Sequence, residues 1–291
     1  MEREYTLGLY EKSMPSDLSW EQKMLSAKEA GFDYIEISID ETDAKLARLD
    51  MSKEERLELV RLMMVTGVPI RSMCLSGHRK YPLGSNDPEV EKRGMEIMEK
   101  AIQLAEDLGI RIIQLAGYDV YYEESSFETK KRFLKNLKKA THMAEKAGVV
   151  LGFETMETEF MNTVEKAMKY TTLVDSPYLN VYPDIGNITN AAIEYKNDVL
   201  EDMMIGKGHL CAMHLKETVP GKFREIPFGT GHVNFKEAID LAWQLGIRQY
   251  VTEFWYVGNE NWKEDLVFAH DMFEKMLDEQ MTGKDEKNVE S

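Results

Sequence analysis

The sequence predicts an α/β protein, a closed (β/α)8 barrel. Three observations carry that expectation. Short runs with strand character, centred on Leu7, Ile35, Arg71, Ile112, Leu151, Val181, Ala212 and Val251, alternate with amphipathic stretches along the chain. Gly, Asp or basic residues bound them, as expected of parallel strands covered on both faces. No Gly/Ser/Pro-rich linker divides the 291 residues, and barrels of roughly 250 residues fold as one unit. The alternative, a doubly wound open sheet, is disfavoured because no G-x-G-x-x-G follows the first run. The expected layout is one barrel over residues 1–281 and a polar tail over 282–291.

Taken in order, the segments between strands carry recognisable ends. Asp40 to Asp50 has room for a short extra helix. Ser52-Lys53-Glu54-Glu55 is a capping box, Leu57, Val60 and Met64 follow on one helical face, and Gly67 stops the helix. Asp87-Pro88 sets an N-cap before a proline at the first helical position. The helix after it carries Met95, Met98 and Ile102 and ends near Gly109. Lys131 to Ala147 reads as a helix stopped by Gly148, and the region from Asn190 to Lys207 reads as helical. Gly283 to Asn288 is polar and is expected to fray.

Composition excludes several classes. The hydrophobic fraction is 43% and the charged fraction 30%, which suits a globular chain with a solvated surface. No run approaches the roughly 18 apolar residues that cross a bilayer, and Met1 to Tyr5 lacks the basic and apolar segments of a secretory signal. The net charge of −16 repels nucleic acid and anionic membranes. It repels a phosphorylated metabolite too, so such a ligand needs a local basic patch. Cys74 and Cys211 are the only cysteines; they make no disulfide framework and are expected to be buried, reduced thiols of a cytoplasmic protein.

Four runs end on residues that suit chemistry: Val149 to Glu154, Asn180 to Asp184, Leu210 to His214 and Gln249 to Glu253. A charge where a buried strand stops is costly unless it is ligated, paired or solvated. Each residue alone reads more simply as a solvated or salt-bridged group, and His214 as a satisfied core histidine. In a (β/α)8 barrel, however, the C-terminal strand ends share one mouth, so four on consecutive strands make a plausible ligand set. Three carboxylates and an imidazole suit one divalent ion, Mn²⁺ or Zn²⁺. Such a site suits proton abstraction beside a carbonyl, with one Glu taking the proton and the other returning one from the opposite face. No G-x-x-x-x-G-K-[ST] loop is present.

The chain resembles the xylose-isomerase-like TIM barrels, and within them the L-ribulose-5-phosphate 3-epimerase (L-xylulose-5-phosphate 3-epimerase) family. The resemblance runs from Leu7-Gly8-Leu9-Tyr10-Glu11-Lys12 to about Glu253. Its most specific runs are Ser38 to Asp43, Arg71 to Arg79, Ile113 to Tyr122, Tyr182 to Asn187 and Pro227 to Gly231. It implies a divalent metal on Glu154, Asp184, His214 and Glu253, with Glu154 and Glu253 also the acid/base pair. It further implies a ketopentose 5-phosphate substrate, a place in L-ascorbate or related pentose catabolism, and a homodimer paired through its helices.

For the substrate, the candidate cations are His78, Arg79 and Lys80 after the third strand, and Lys216, Lys222 and Arg224 after the seventh. Their simpler reading is exposed loop charge. Gly229-Thr230-Gly231 offers backbone N–H groups to an anion or forms a plain turn. Gln114 and Glu157 are candidates to bond sugar hydroxyls, Glu157 alternatively to support the metal ligands. Tyr118, Tyr121, Tyr122, Phe254 and Trp255 are candidates to wall the site. The rival readings are an aldose–ketose isomerase or an epimerase of unphosphorylated ketoses, a phosphodiesterase of the endonuclease IV kind, and a non-catalytic sugar sensor. Six histidines and the acidic charge weigh against the phosphodiesterase.

Overall fold

A computed structural model describes residues 3–288, with side chains over 3–282. Eight parallel strands form the sheet: β1 (Thr6–Tyr10), β2 (Tyr34–Ile39), β3 (Ile70–Leu75), β4 (Ile112–Ala116), β5 (Val150–Glu154), β6 (Leu179–Tyr182), β7 (Met213–Leu215) and β8 (Gln249–Thr252). Around them lie α1 (Trp20–Glu29), α2 (Asp43–Leu46), α3 (Lys53–Thr66), α4 (Pro88–Leu108), α5 (Phe127–Ala147), α6 (Val164–Val174), α7 (Ile185–Tyr195), α8 (Val199–Ile205), α9 (Phe235–Gln244) and α10 (Trp262–Asn288). The strands run in the order β6-β5-β4-β3-β2-β1-β8-β7. Single parallel bridges, Val181 with Leu210 and Asp184 with His214, close β7 onto β6. The architecture is the expected barrel, and every strand centre except Ala212 falls inside its strand.

The exception has a local cause. Leu210, Cys211 and Ala212 approach β6 without forming a strand; Cys211 N–H donates to Val181 O and His214 N–H to Pro183 O. Pro183 brings no N–H of its own, so the ladder is interrupted there. His214 therefore sits at the centre of a three-residue strand, with Leu215 after it.

The helix ends follow their caps. Ser52 and Glu55 complete the capping box of α3, and Asp87 caps α4 with Pro88 at its start. Gly67, Gly109 and Gly148 each take the left-handed conformation that ends a helix without steric cost. The extra helix after Asp40 is α2, followed by a 3-10 turn over Ala47–Asp50. α5 begins at Phe127, four residues before Lys131, because Ser126 caps it.

Two expectations change. On α3, Leu57 and Met64 are exposed, and Leu59 is the buried leucine. Seven apolar residues between Leu57 and Val65 nearly encircle the helix, so periodicity alone selects no face. At the other end, α10 is helical through Asn288 where fraying was expected; residues 289–291 lie outside the described residues. Among the described residues no helix is long and apolar enough to cross a membrane. The two cysteines are free thiols, Cys74 buried and Cys211 partly exposed.

Candidate metal centre at the barrel mouth

Glu154 is the last residue of β5, Asp184 follows β6 by two residues, His214 is on β7, and Glu253 directly follows β8. The fold brings all four together: each offers a ligand atom, and these atoms lie within 4.8 Å of one another, with all four residues buried. Asp184 also caps α7, accepting from Asn187 N–H through Oδ1, which leaves Oδ2 for the cluster. Gly186 allows this approach, because a Cβ there would meet Lys216 O at 2.7 Å.

Three atoms face the centre without a well-directed hydrogen bond: Asp184 Oδ2, His214 Nδ1 and Glu253 Oε2. Buried polar atoms left in this state are unusual in folded proteins. Lys216 Nζ, 2.5 Å from Asp184 Oδ2 and 3.5 Å from Glu253 Oε2, is the one ammonium among the three carboxylates in the described residues. Once ionised, the three carboxylates carry two more charges than Lys216 offsets, which suits a dication. The donor set, the orphaned atoms and the charge balance all fit a divalent ion.

Electrostatics follow from burial and mutual repulsion. Burial pushes the Asp184 carboxyl well above the ordinary value, more than Lys216 lowers it. Burial also raises Glu154, and the Glu253 charge adds to it. Burial would raise Glu253 as well, but Lys216 and His214 outweigh it and hold that carboxyl low. Burial would depress His214, yet Glu36 and Glu253 hold the imidazole above its usual value.

Glu36 is the residue that strand-end reasoning misses. It lies within β2, fully buried. Its Oε1 accepts from His214 Nε2 at 2.7 Å, and its Oε2 accepts from Ser72 Oγ at 2.7 Å and from Tyr182 OH at 3.1 Å. With Glu36 holding a proton on Nε2, Nδ1 is the nitrogen that faces the cluster carboxylates, and it would serve as a ligand once its own proton has left. Its signal in the sequence is a lone carboxylate inside the apolar run Tyr34 to Ile39.

The expected substrate residues divide. Arg79, Glu157 and Lys216 line the mouth together with Lys12, Arg224 and Trp255. Lys216 is buried among the clustered carboxylates and not on a loop rim. Gln114 donates to Glu154 Oε2 from β4 and holds a carboxylate of the cluster instead of lining the mouth. His78 is buried beneath the loops, bonded at 3.0 Å to Gly94 O and held by burial at a pKa of about 4, so it does not reach the mouth. Lys222 is exposed in a tight turn with Val219, away from the lining. Gly229 N–H donates to Glu217 Oε2, so the chain's own carboxylate occupies that N–H. Trp255 walls the mouth, Tyr118 and Tyr121 flank Arg79, Tyr122 is exposed against Glu41, and Phe254 packs with Phe228.

Comparisons with known proteins agree with this fold. The family model described as xylose isomerase-like TIM barrel matches residues 25–272. L-ribulose-5-phosphate 3-epimerase UlaE of Salmonella paratyphi A is 45% identical over 272 residues, covering 93% of this chain and 94% of that protein. Its counterpart from Escherichia coli O17:K52:H18 is 44% identical with the same coverage. Among solved structures, a D-tagatose 3-epimerase-like protein superposes with a TM-score of 0.77 at 18% identity, covering 96% of this chain and 99% of that one. An L-ribulose 3-epimerase superposes with a TM-score of 0.76 at 18% identity, covering 99% and 98%. Those two likenesses speak for the fold, and the curated relatives for descent: the chain belongs to the xylose isomerase-like TIM barrel family and, within it, groups with the L-ribulose-5-phosphate 3-epimerases.

Proposed function

We propose that this protein is a metal-dependent epimerase that interconverts L-xylulose 5-phosphate and L-ribulose 5-phosphate by inverting C3. The observation that carries the reading is the convergence of Glu154, Asp184, His214 and Glu253 on one buried centre, in a chain 45% identical to an enzyme named for that reaction.

Glu154, Asp184, His214 and Glu253 would hold the ion, Mn²⁺ or Zn²⁺ by donor type. When bound, a divalent ion supplies Lewis acidity to a ketone and its neighbouring hydroxyl. Glu154 and Glu253 are the proton carriers. One carboxylate takes the C3 proton, the C3–H electron pair moves into a C2–C3 double bond, and negative charge grows on O2. The other carboxyl then delivers a proton to the opposite face of C3, so the reaction is redox-neutral and returns the ketone. Lys216, with its ammonium against Asp184 and Glu253, adds fixed positive charge beside the developing anion. Gln114 orients Glu154, and Glu36 orients His214. Arg79 and Glu157 stand at the rim for the rest of the sugar.

The test is turnover of L-xylulose 5-phosphate in deuterated water. Product labelled at C3 is expected; product free of deuterium would rule out exchange through the carboxylates. We further propose a cytoplasmic homodimer with a role in pentose catabolism. A monomeric mass by sedimentation at micromolar concentration would rule out the dimer.

A further inference from the structure

We propose that Glu217 is a positioning residue: its buried carboxylate gathers the loop over 218–233 and so holds Phe223 and Arg224 across the barrel mouth. The inference rests on the epimerase reading above and adds what keeps the cover of that site in place.

The loop leaves β7 and ends at Asn234, which caps α9. Glu217 stands at its root and is buried. The carboxylate holds backbone. Its Oε1 accepts from Thr218 N–H and Val233 N–H, both at 3.2 Å, and its Oε2 from Gly229 N–H at 3.0 Å. Those donors come from the first residue of the loop and from its last turn, so one side chain closes the loop at its base. Gly231 lets the chain lie against the carboxylate, because a Cβ there would meet Glu217 Oε1 and Thr218 O. Thr218 Oγ1 donates to Gly186 O at 3.1 Å, which ties the same root to the start of α7.

From this root the chain reaches out over the site. Val219 and Lys222 close a turn, and Gly221 N–H donates to Asn190 Oδ1 on α7 at 2.9 Å. Phe223 and Arg224 then line the mouth together with Glu154, Lys216 and Glu253. Arg224 Nη2 lies 3.5 Å from Glu157 Oε1, and its guanidinium 5.6 Å from the Trp255 ring centroid, so the tip spans the loops after β5 and β8. Glu225 takes a left-handed backbone, φ 58°, which residues with a Cβ adopt seldom. Such a shape persists only where its surroundings hold it. Phe228 then returns to the core against Phe235, Phe254 and Phe273.

The acceptor must be a carboxylate. An ionised carboxylate accepts on both oxygens, whereas an amide accepts on one and donates from the other side. Whichever way the amide of Glu217→Gln turns, at least one of the three N–H groups loses its acceptor, and an unmade hydrogen bond of that kind is costly. The loop gives way before the barrel does. A tip that is in place only a tenth of the time weakens apparent sugar binding tenfold and leaves the reacting carbon open to water.

The experiment is a cycle of variants in the Mn²⁺-loaded enzyme with L-xylulose 5-phosphate. It compares wild type, Glu217→Gln, the tip variant Phe223→Ala/Arg224→Ala, and all three substitutions together. Glu217→Gln should raise KM at least tenfold with kcat within threefold; a KM within twofold of wild type would overturn the proposal. In the tip variant the same substitution should change kcat/KM less than twofold, because the side chains it positions are gone. A tenfold loss in both backgrounds would overturn the proposal, since Glu217 would then act on the barrel as a whole. Amide hydrogen exchange gives a readout independent of turnover. Peptides within 218–233 should exchange at least tenfold faster in Glu217→Gln while those of β1 to β6 keep their rates, and unchanged exchange in the loop would overturn the proposal. Should Glu217→Gln fail to fold, Gly231→Ala replaces it, since its Cβ displaces the same carboxylate from the other side; the same outcomes apply. A wild type that turned over no sugar would sink the epimerase reading alone, and the exchange rates would still decide whether Glu217 holds the loop.

Discussion

Replacing Glu36 with Gln tests whether a residue remote from the strand ends sets the metal centre. The amide has nearly the same shape, and its carbonyl still reaches His214 Nε2. The Ser72 and Tyr182 hydroxyls can rotate to accept from the new NH₂ group. What disappears is the charge behind the 2.7 Å contact to His214. A hydrogen bond to a charged group is worth about 1.5–3 kcal/mol, and loss of an outer partner of a metal-binding histidine typically weakens the metal about 10- to 100-fold. The two scales agree, since tenfold is about 1.4 kcal/mol. Calorimetric titration of metal-free protein with Mn²⁺ or Zn²⁺ should therefore show Glu36→Gln binding 10- to 100-fold more weakly. Circular dichroism should report an unchanged fold. Affinity within twofold of the wild type would refute the reasoning and reduce Glu36 to a core hydrogen-bond partner.

Three further outcomes follow from the same geometry. Glu154→Gln and Glu253→Gln should each lower turnover by about 10²–10⁴, the usual weight of a positioned acid or base; near-normal rates from either would remove it from the proton path. Chelation should abolish activity, and adding back the ion at a hundred times its Kd should raise unfolding stability by about 2.7 kcal/mol, measured by denaturant titration with and without metal. Glu11 should govern acid stability. It is buried against Lys23, Lys45 and Arg48 and accepts from Ser38 N–H. Burial would raise its pKa, but the three cations bring it from 4.5 down to about 2. Because the folded value is the lower one, its contribution is complete above about pH 4.5 and fades as pH falls towards 2. Burial, Arg48 and Lys23 lower Lys45 in turn, which offsets part of the gain. Glu11→Gln should cost about 3–5 kcal/mol at pH 7, since it strands buried cations. The gap to wild type should narrow below pH 4.5; a pH-independent gap would refute this account.

What the sequence disclosed and what it hid divide along a physical line. A strand end in a barrel has a known direction, so a carboxylate or imidazole at that position can be placed from strand order alone. That is why the convergence of Glu154, Asp184, His214 and Glu253 on one centre is legible in the strand order alone. Loop cations have no such constraint. His78 and Arg79 are adjacent in sequence, yet the 3-10 turn over Gly77–Arg79 sends one ring under the loops to Gly94 and the other side chain to Glu157. Lys216 looked like a rim cation because it is a lysine after a strand. It is two residues past His214, and β-strand alternation repeats every second residue, so the argument that places His214 at the centre places Lys216 there too. Glu36 was hidden for the opposite reason. A carboxylate within an apolar strand has no end to point from, and its role appears only when β7 brings His214 Nε2 against it from 178 residues away. The members of the central cluster can be read one strand at a time, whereas the groups that hydrogen-bond to them form pairs and become visible only when the barrel closes.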